Sequence, residues 1–404
     1  MGKNQAEKLN DADFALGSHW FSKLPVVAGL VGVVGLAATF GLGASAKEQM
    51  FFSYHVAFMY FLSIALGAFF FVIVQFATKA GWSVLVRRIA ENLAGTLPVF
   101  VLLAIPLILG SHTLFHHWMD AEVRETDRFI IHKAPYLNEP FFYGRMAFYL
   151  LVWAVLSYLF RSRSVAQDAS GDQGITRRLQ NLSYPSIFLF AITITFASVD
   201  WIMSMDPHWY STMFGVYYFA GAIVAIYATL VLLSMALQSH KAFGHIFNVE
   251  HFHDLGKLMF GHTAFWAYIA FSQFFLIWYA NIPEETLYFK HRAADTWLWV
   301  SIALGVGHFC IPFVFLISAR MKRNRGVLWL GALWMLVIHF VDIHWLIMPT
   351  LHTKAVSLSI LDVTAFLGVG GIFLATFGIL MKRARIVPTR DPRLPESLAF
   401  ENII

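Results

Sequence analysis

Two carboxylates lie inside apolar stretches with the same local context. Val199-Asp200-Trp201 leads to Pro207 and Val341-Asp342 leads to Trp345 and Pro349, with seven residues from Asp to Pro each time. An ionisable side chain in hydrocarbon costs roughly 2.5–3.5 kcal/mol or more, and the usual reason to keep one is to handle protons or ions. His55, Arg145 and Asp362 join the two acids in the outer third of their apolar runs. Arg145 is the natural counter-charge for an Asp. If such groups converge, a His or carboxylate beside an apolar groove suits a quinol headgroup and its tail. If they pair off, they are buried ion pairs that fix helix register.

A second set lies deeper. His262, Trp266, Gln273 and Asn281 recur at helical spacing and form one polar stripe. His339 sits three residues before Asp342 on the same face, and His308 falls near the middle of its run. A lone membrane histidine is more often a packing residue. Three on consecutive helices suggest a proton relay, because imidazole takes and releases a proton near neutral pH.

Other chemistries are poorly served. His240, His245, His251 and His253 share a polar loop, and His251-x-His253 beside Glu250 offers metal ligands, yet no Cys or second helical His pair completes a set. No metal site is therefore assigned. Paired axial histidines for haem (His55 with His308, or His262 with His339) are formally open, but no spacing singles one out. The single cysteine, Cys310, excludes an intrachain disulfide, a Cys-x-x-Cys-His haem attachment and a thiolate set for an iron–sulfur cluster.

The elements that must position these residues are membrane helices. Of 404 residues 58% are hydrophobic and 13% charged, with 40 Phe, too apolar for a soluble domain of this length. Ten runs reach the ~20 residues needed to cross a bilayer. They lie near 24–43, 51–76, 93–114, 141–160, 185–205, 212–237, 257–281, 295–319, 326–348 and 355–381. Most of the 29 Lys and Arg fall on the side of the two ends. The other side holds Lys47, Arg124, Arg128, Lys133, Lys290, Arg292 and Lys354, so the positive-inside rule places both termini in the cytoplasm. The pI near 9.2 then reflects anchoring and not a nucleic-acid partner. No cleavable leader is expected, since the first run is preceded by a polar tail over 1–23 and has basic flanks.

The fifth and ninth runs point the same way and are four runs apart, as a four-helix repeat requires. The expected fold is an all-α polytopic membrane protein. It has ten transmembrane helices, with one four-helix bundle over 51–205 (spans 2–5), a second over 212–348 (spans 6–9), peripheral spans 1 and 10, and a cytoplasmic tail over 382–404. The segment 115–140, with Asp120, Glu122, Arg124, Glu125, Asp127 and Arg128, reads equally as a surface for an external partner or as a solvated loop.

Two long motifs resemble a known family. They are Ser198-Val-Asp-Trp-Ile-Met-Ser-Met-Asp-Pro-His-Trp-Tyr-Ser-Thr212, and Asp254-Leu-Gly-Lys-Leu258 followed by Trp266-Ala-Tyr268, Phe271-Ser-Gln273 and Trp278-Tyr-Ala-Asn-Ile-Pro-Glu-Glu285. They are similar to the ten-span, polysulfide-reductase-type (NrfD-like) subunits of bacterial alternative complex III, a quinol:cytochrome c or quinol:acceptor oxidoreductase, and most similar to the second, ActF-type subunit. The resemblance covers nearly all spans. It implies two four-helix bundles and no metal centre or other cofactor held by the chain itself. The implied partners are a second ten-span NrfD-like subunit, an external iron–sulfur protein and multihaem cytochrome c subunits, which would carry the iron–sulfur clusters and haem c. It implies a proton-conducting half-channel, for which Asp200, Asp342, His339, His262 and Gln273 are candidates, with His308 from the relay. Quinol binding is most often assigned in that family to the sister subunit, so a quinone site here, at His55, Arg145 and Asp362, rests on depth alone. The alternative reading is an autonomous ion or solute transporter with an intramembrane acidic site, and a di-haem cytochrome is a third.

Overall fold

The computed structural model describes residues 14–402. No strand occurs among them, and ten helices are long and apolar enough to cross a membrane. The chain is an all-α polytopic membrane protein. We number these helices α1 (Trp20–Gly43), α2 (Lys47–Ala77), α3 (Val84–Leu109), α4 (Glu139–Ser170), α5 (Gln173–Met205), α6 (Phe214–Leu237), α7 (Val249–Ala280), α8 (Asp295–Ile317), α9 (Arg325–Thr350) and α10 (Ile360–Lys382). All ten apolar runs become helices. Several run well past the apolar core, α2, α4 and α7 being 31 or 32 residues long.

Two spans are interrupted. α3 breaks at Thr96 and again at Ala104, where Pro98 and Pro106 start new short helices. Proline cannot donate to the preceding turn, but it suits the first positions of a new one. In α8 the segment Gly305–Cys310 winds as a π-helix. The extra residue per turn re-aims the side chains, and such bulges are frequent at functional sites.

Helices α2–α5 close one ring and α6–α9 a second, with α2 and α6 packed against each other at the junction. α2 is the hub. Of its most apolar window 94% is buried, because α3, α5, α6, α9 and α10 all pack on it. The two outlying spans are not separate appendages. α1 lies along α10, where a Cβ on Gly35 would stand 2.5 Å from the Gly368 amide nitrogen and one on Gly371 2.4 Å from the Gly32 Cα. Backbones that close need small residues at the crossing. Thr39 adds a 3.0 Å hydrogen bond to Thr364, and α10 in turn lies on α2.

The first and last described segments meet at one face, the terminal face. The segment after α10 folds back there: the Ile386 amide donates to the Phe14 carbonyl at 2.9 Å and Ser397 donates to the Trp82 carbonyl at 2.5 Å. Beneath it Arg88 salt-bridges Glu91 at 2.8 Å and Asp168 at 2.7 Å, and Arg87 binds Glu91 and Asp391, all of them buried. His251 serves this architecture. It completes the capping box of α7 with Asn248 and meets the Ser397 carbonyl at 3.0 Å, while His253 faces Glu250 at 3.6 Å. The two histidines therefore do not converge on one ion. At the opposite face the segment 115–140 is built of short helices, two of them capped by Asp120 and Asp127.

Candidate functional site

The two carboxylates occupy different bundles and different environments. Asp200, near the end of α5, is fully buried against α4. Arg145 grips it with two parallel bonds, Nε to Oδ2 at 2.7 Å and Nη2 to Oδ1 at 2.9 Å, and Tyr149, one turn along the same face, donates to Oδ2 at 2.8 Å. The guanidinium also donates to the Tyr136 carbonyl at 3.0 Å and lies over the Tyr136 and Phe141 rings. Fork-to-fork pairing of this kind is the strong form of a salt bridge, and it gives Asp200 a permanent counter-charge. His55 on α2 bonds the Trp201 carbonyl at 2.7 Å, one residue from the pair.

Asp342 has no such partner. Tyr217 on α6 donates to its Oδ1 at 2.5 Å and the Trp266 indole on α7 to its Oδ2 at 3.1 Å, both neutral donors. Beside it stand His339, one turn earlier on α9, and His308, which the π-segment of α8 turns into the bundle. One ligand-type atom of each residue lies within 4.8 Å of the others, and all three are buried. Gly221 on α6 makes the room, since a Cβ there would stand 2.9 Å from His339 Cε1.

Ser63 on α2 lies 2.6 Å from the Tyr60 carbonyl and 2.8 Å from His339 Nε2, so its hydroxyl ties the imidazole to α2 through that nitrogen. The other ring nitrogen, Nδ1, is buried and has no partner. Both nitrogens of His308 are likewise unpartnered, its ring stacked on Trp266 at 3.7 Å. Asp342, His308 and His339 form a cluster that can accept, pass or share a proton. The same atoms are of a kind that hold a divalent cation, a grouping the sequence did not reveal.

Three other candidates lie elsewhere. Asp362 sits in the first turn of α10, accepting from Ser53 at 2.5 Å, from Gln49 at 3.4 Å and from the Ser359 amide at 2.8 Å in a capping box. His262 bonds the Leu258 carbonyl at 2.8 Å within its own helix, and Gln273 is buried with its Oε1 unpartnered. The expected outer-third group of His55, Arg145, Asp200, Asp342 and Asp362 thus separates into three sites. Of the stripe on α7, Trp266 alone bonds Asp342. Of the histidines in the two haem pairings, His55 bonds the Trp201 carbonyl and His262 the Leu258 carbonyl, while His308 and His339 share the Asp342 cluster.

A cavity of about 990 Å³ opens between α7 and α8, with Tyr217 and Trp266 on its inner wall and Asn281, Thr286, Lys290 and Arg292 at the opposite-face end. Its remaining lining is mainly apolar, including Ala267, Phe274, Ile302 and Gly305. Sequence reasoning missed Tyr217, Ser63 and Arg292. A tyrosine in an apolar span is a usable signal, because its buried hydroxyl seeks a partner. No protein-family model matches the chain, and no curated protein matches it significantly.

Proposed function

We propose that this chain is an integral membrane subunit of a bacterial quinol:cytochrome c, or quinol:acceptor, oxidoreductase, lying in the cytoplasmic membrane with both termini inside. In this reading it anchors the complex and supplies a proton-conducting half-channel in its second bundle. Redox centres sit on its partners: a second NrfD-like ten-span subunit, an external iron–sulfur protein and multihaem cytochrome c subunits. Two motifs, Ser198–Thr212 and Asp254–Glu285, support the family reading, and the excess of Lys and Arg at the terminal face supports the orientation.

The proton role rests on one observation: Asp342 is buried with neutral donors only, next to the unpartnered Nδ1 of His339 and the unpartnered nitrogens of His308. A lone buried charge is costly, so a proton held within the cluster is the natural compensation. Asp342, His339 and His308 have ligand-type atoms within 4.8 Å of one another, the span that one water bridges, so a proton can pass among them through such a water while Tyr217 and Trp266 hold the carboxylate in place. Asp200, clamped by Arg145, then has an architectural role. The interruptions in α3 and α8 do not fall at corresponding places in the two bundles, as they would in a transporter built on broken repeats.

The test is the Asp342→Asn variant in the intact complex reconstituted in liposomes. Electron transfer from quinol should persist while the protons moved per electron fall. An unchanged ratio would remove the proton role.

A further inference from the structure

Four arginines are buried among the described residues, and three of them, Arg87, Arg88 and Arg145, salt-bridge a carboxylate. Arg292 does not. It is 4% exposed, and its guanidinium meets only carbonyls: Nε to Trp345 at 3.3 Å, Nη1 to Tyr288 at 3.2 Å and Nη2 to Leu346 at 3.0 Å. The ring of Tyr288 lies 3.5 Å beneath it. Asp206 acts on it only from beyond ion-pair distance. Three of its five N–H groups are used, so donors remain. Burial pulls this guanidinium below its ordinary value, the sign of a cation short of negative charge. Lys290, exposed and without an ion-pair partner, stands two residues away.

Both cations sit at the mouth of the cavity between α7 and α8. The cavity follows α7 from Ala264 to Asn281, about 26 Å at 1.5 Å per residue. It is therefore an apolar slot of membrane depth with two unneutralised cations at its interfacial end. The inner polar groups are already committed. The Trp266 indole has one N–H and gives it to Asp342, and the Tyr217 hydroxyl gives its proton to the same carboxylate. Those two inner donors are thus taken, and the charged donors of the cavity stand at its mouth, where they suit a phosphate.

We propose that this cavity is a binding site for an anionic phospholipid, with its phosphate on Arg292 and Lys290 and its acyl chains along α7 and α8 past Phe274, Ile302 and Gly305. Guanidinium matches phosphate in charge and in fork geometry, and basic pockets between membrane helices take such headgroups. The acyl chains would cover the cavity side of Tyr217 and Trp266, the two residues that hold the Asp342 carboxylate.

The test uses the full chain in mild detergent. Retained phosphorus is measured after lipid extraction, and the delipidated protein is titrated separately with phosphatidylglycerol, with chain-matched diacylglycerol and with an isoprenoid benzoquinone, reading the thermal midpoint. Replacing Arg292 frees three carbonyls and could unfold the site, so the variants are Lys290→Gln and Gly305→Leu. A side chain at Gly305 meets open space and fills the slot. Phosphatidylglycerol is expected to raise the midpoint and diacylglycerol and quinone to leave it unchanged. Lys290→Gln should weaken the response and Gly305→Leu abolish it while keeping the midpoint of the lipid-free parent. Equal stabilisation by the uncharged lipids, or an undiminished response in Gly305→Leu, would overturn the proposal.

Discussion

Asp200 and Asp342 share a sequence context and differ in what opposes them, and the difference can be measured. Converting Asp200 to Asn leaves the Arg145 guanidinium buried without its carboxylate, a loss of about 3–5 kcal/mol. The Asp342→Asn change keeps an oxygen for Tyr217 and sets free no cation, so about 1–2 kcal/mol is the expected cost. Unfolding in mixed micelles separates the two, and equal losses would contradict the assignment of Asp200 to architecture. The pairing of Arg145 with an Asp was legible, since a membrane arginine needs an acid and few were at the right depth. Which acid it takes was not, because depth is set along one helix and partnership by the rotation of two. For the same reason His308 could be placed mid-span but not beside Asp342: its direction comes from the π-turn at Gly305–Cys310, which hydropathy does not encode.

At the scale of elements, small residues decide which helices meet. Gly35→Leu would drive a side chain into the α10 backbone at Gly368, and α1 would have to separate from α10. We expect the variant to lose α1 docking while α2–α9 keep their packing, observable as new protease sensitivity between residues 43 and 47. Survival of the native sensitivity would mean that the glycine contact is dispensable. The number and order of spans followed from apolar run length alone. Pairing of α1 with α10 did not, because the run length says only that each crosses, while the Gly32, Gly35, Gly368 and Gly371 faces say where backbones touch. The short helix Arg128–Lys133 at the opposite face has its own control. Asp127 accepts from the Phe129 and Ile130 amides and from His208 at 2.6 Å. Desolvation pushes the Asp127 carboxyl up, but these hydrogen bonds outweigh it and hold the group below its usual range. A depressed carboxylate contributes stability that is complete above the ordinary value, about 3.9, and is lost as pH falls through the lower folded value. The protection factors of amides in this segment should therefore hold from neutral pH downward and fall only in strong acid, and Asp127→Ala should lower them at pH 7 by a cap's worth, about 1 kcal/mol. Exchange that is insensitive to Asp127→Ala would show that packing alone orders the segment.

On the scale of the whole molecule, the segment after α10 is a strap across the terminal face, tied by Asp391 to the buried Arg87. Asp391→Ala takes from that cation one of its two carboxylates and leaves it Glu91, so it should cost about 1–3 kcal/mol, releasing the strap to proteolysis while the ten helices stay in place. An intact strap would assign its hold to Ser397 and Ile386 instead. The two rings have a further consequence through their hub. α2 has scarcely any surface for lipid, and one of its walls is α10. The ribosome delivers α2 second and α10 last, so throughout synthesis the most enclosed helix of the finished protein waits with one side open. The nascent chain thus holds an uncompleted socket until its last crossing is threaded, and any delay between α9 and α10 lengthens the interval in which quality-control proteases and insertion factors compete for it.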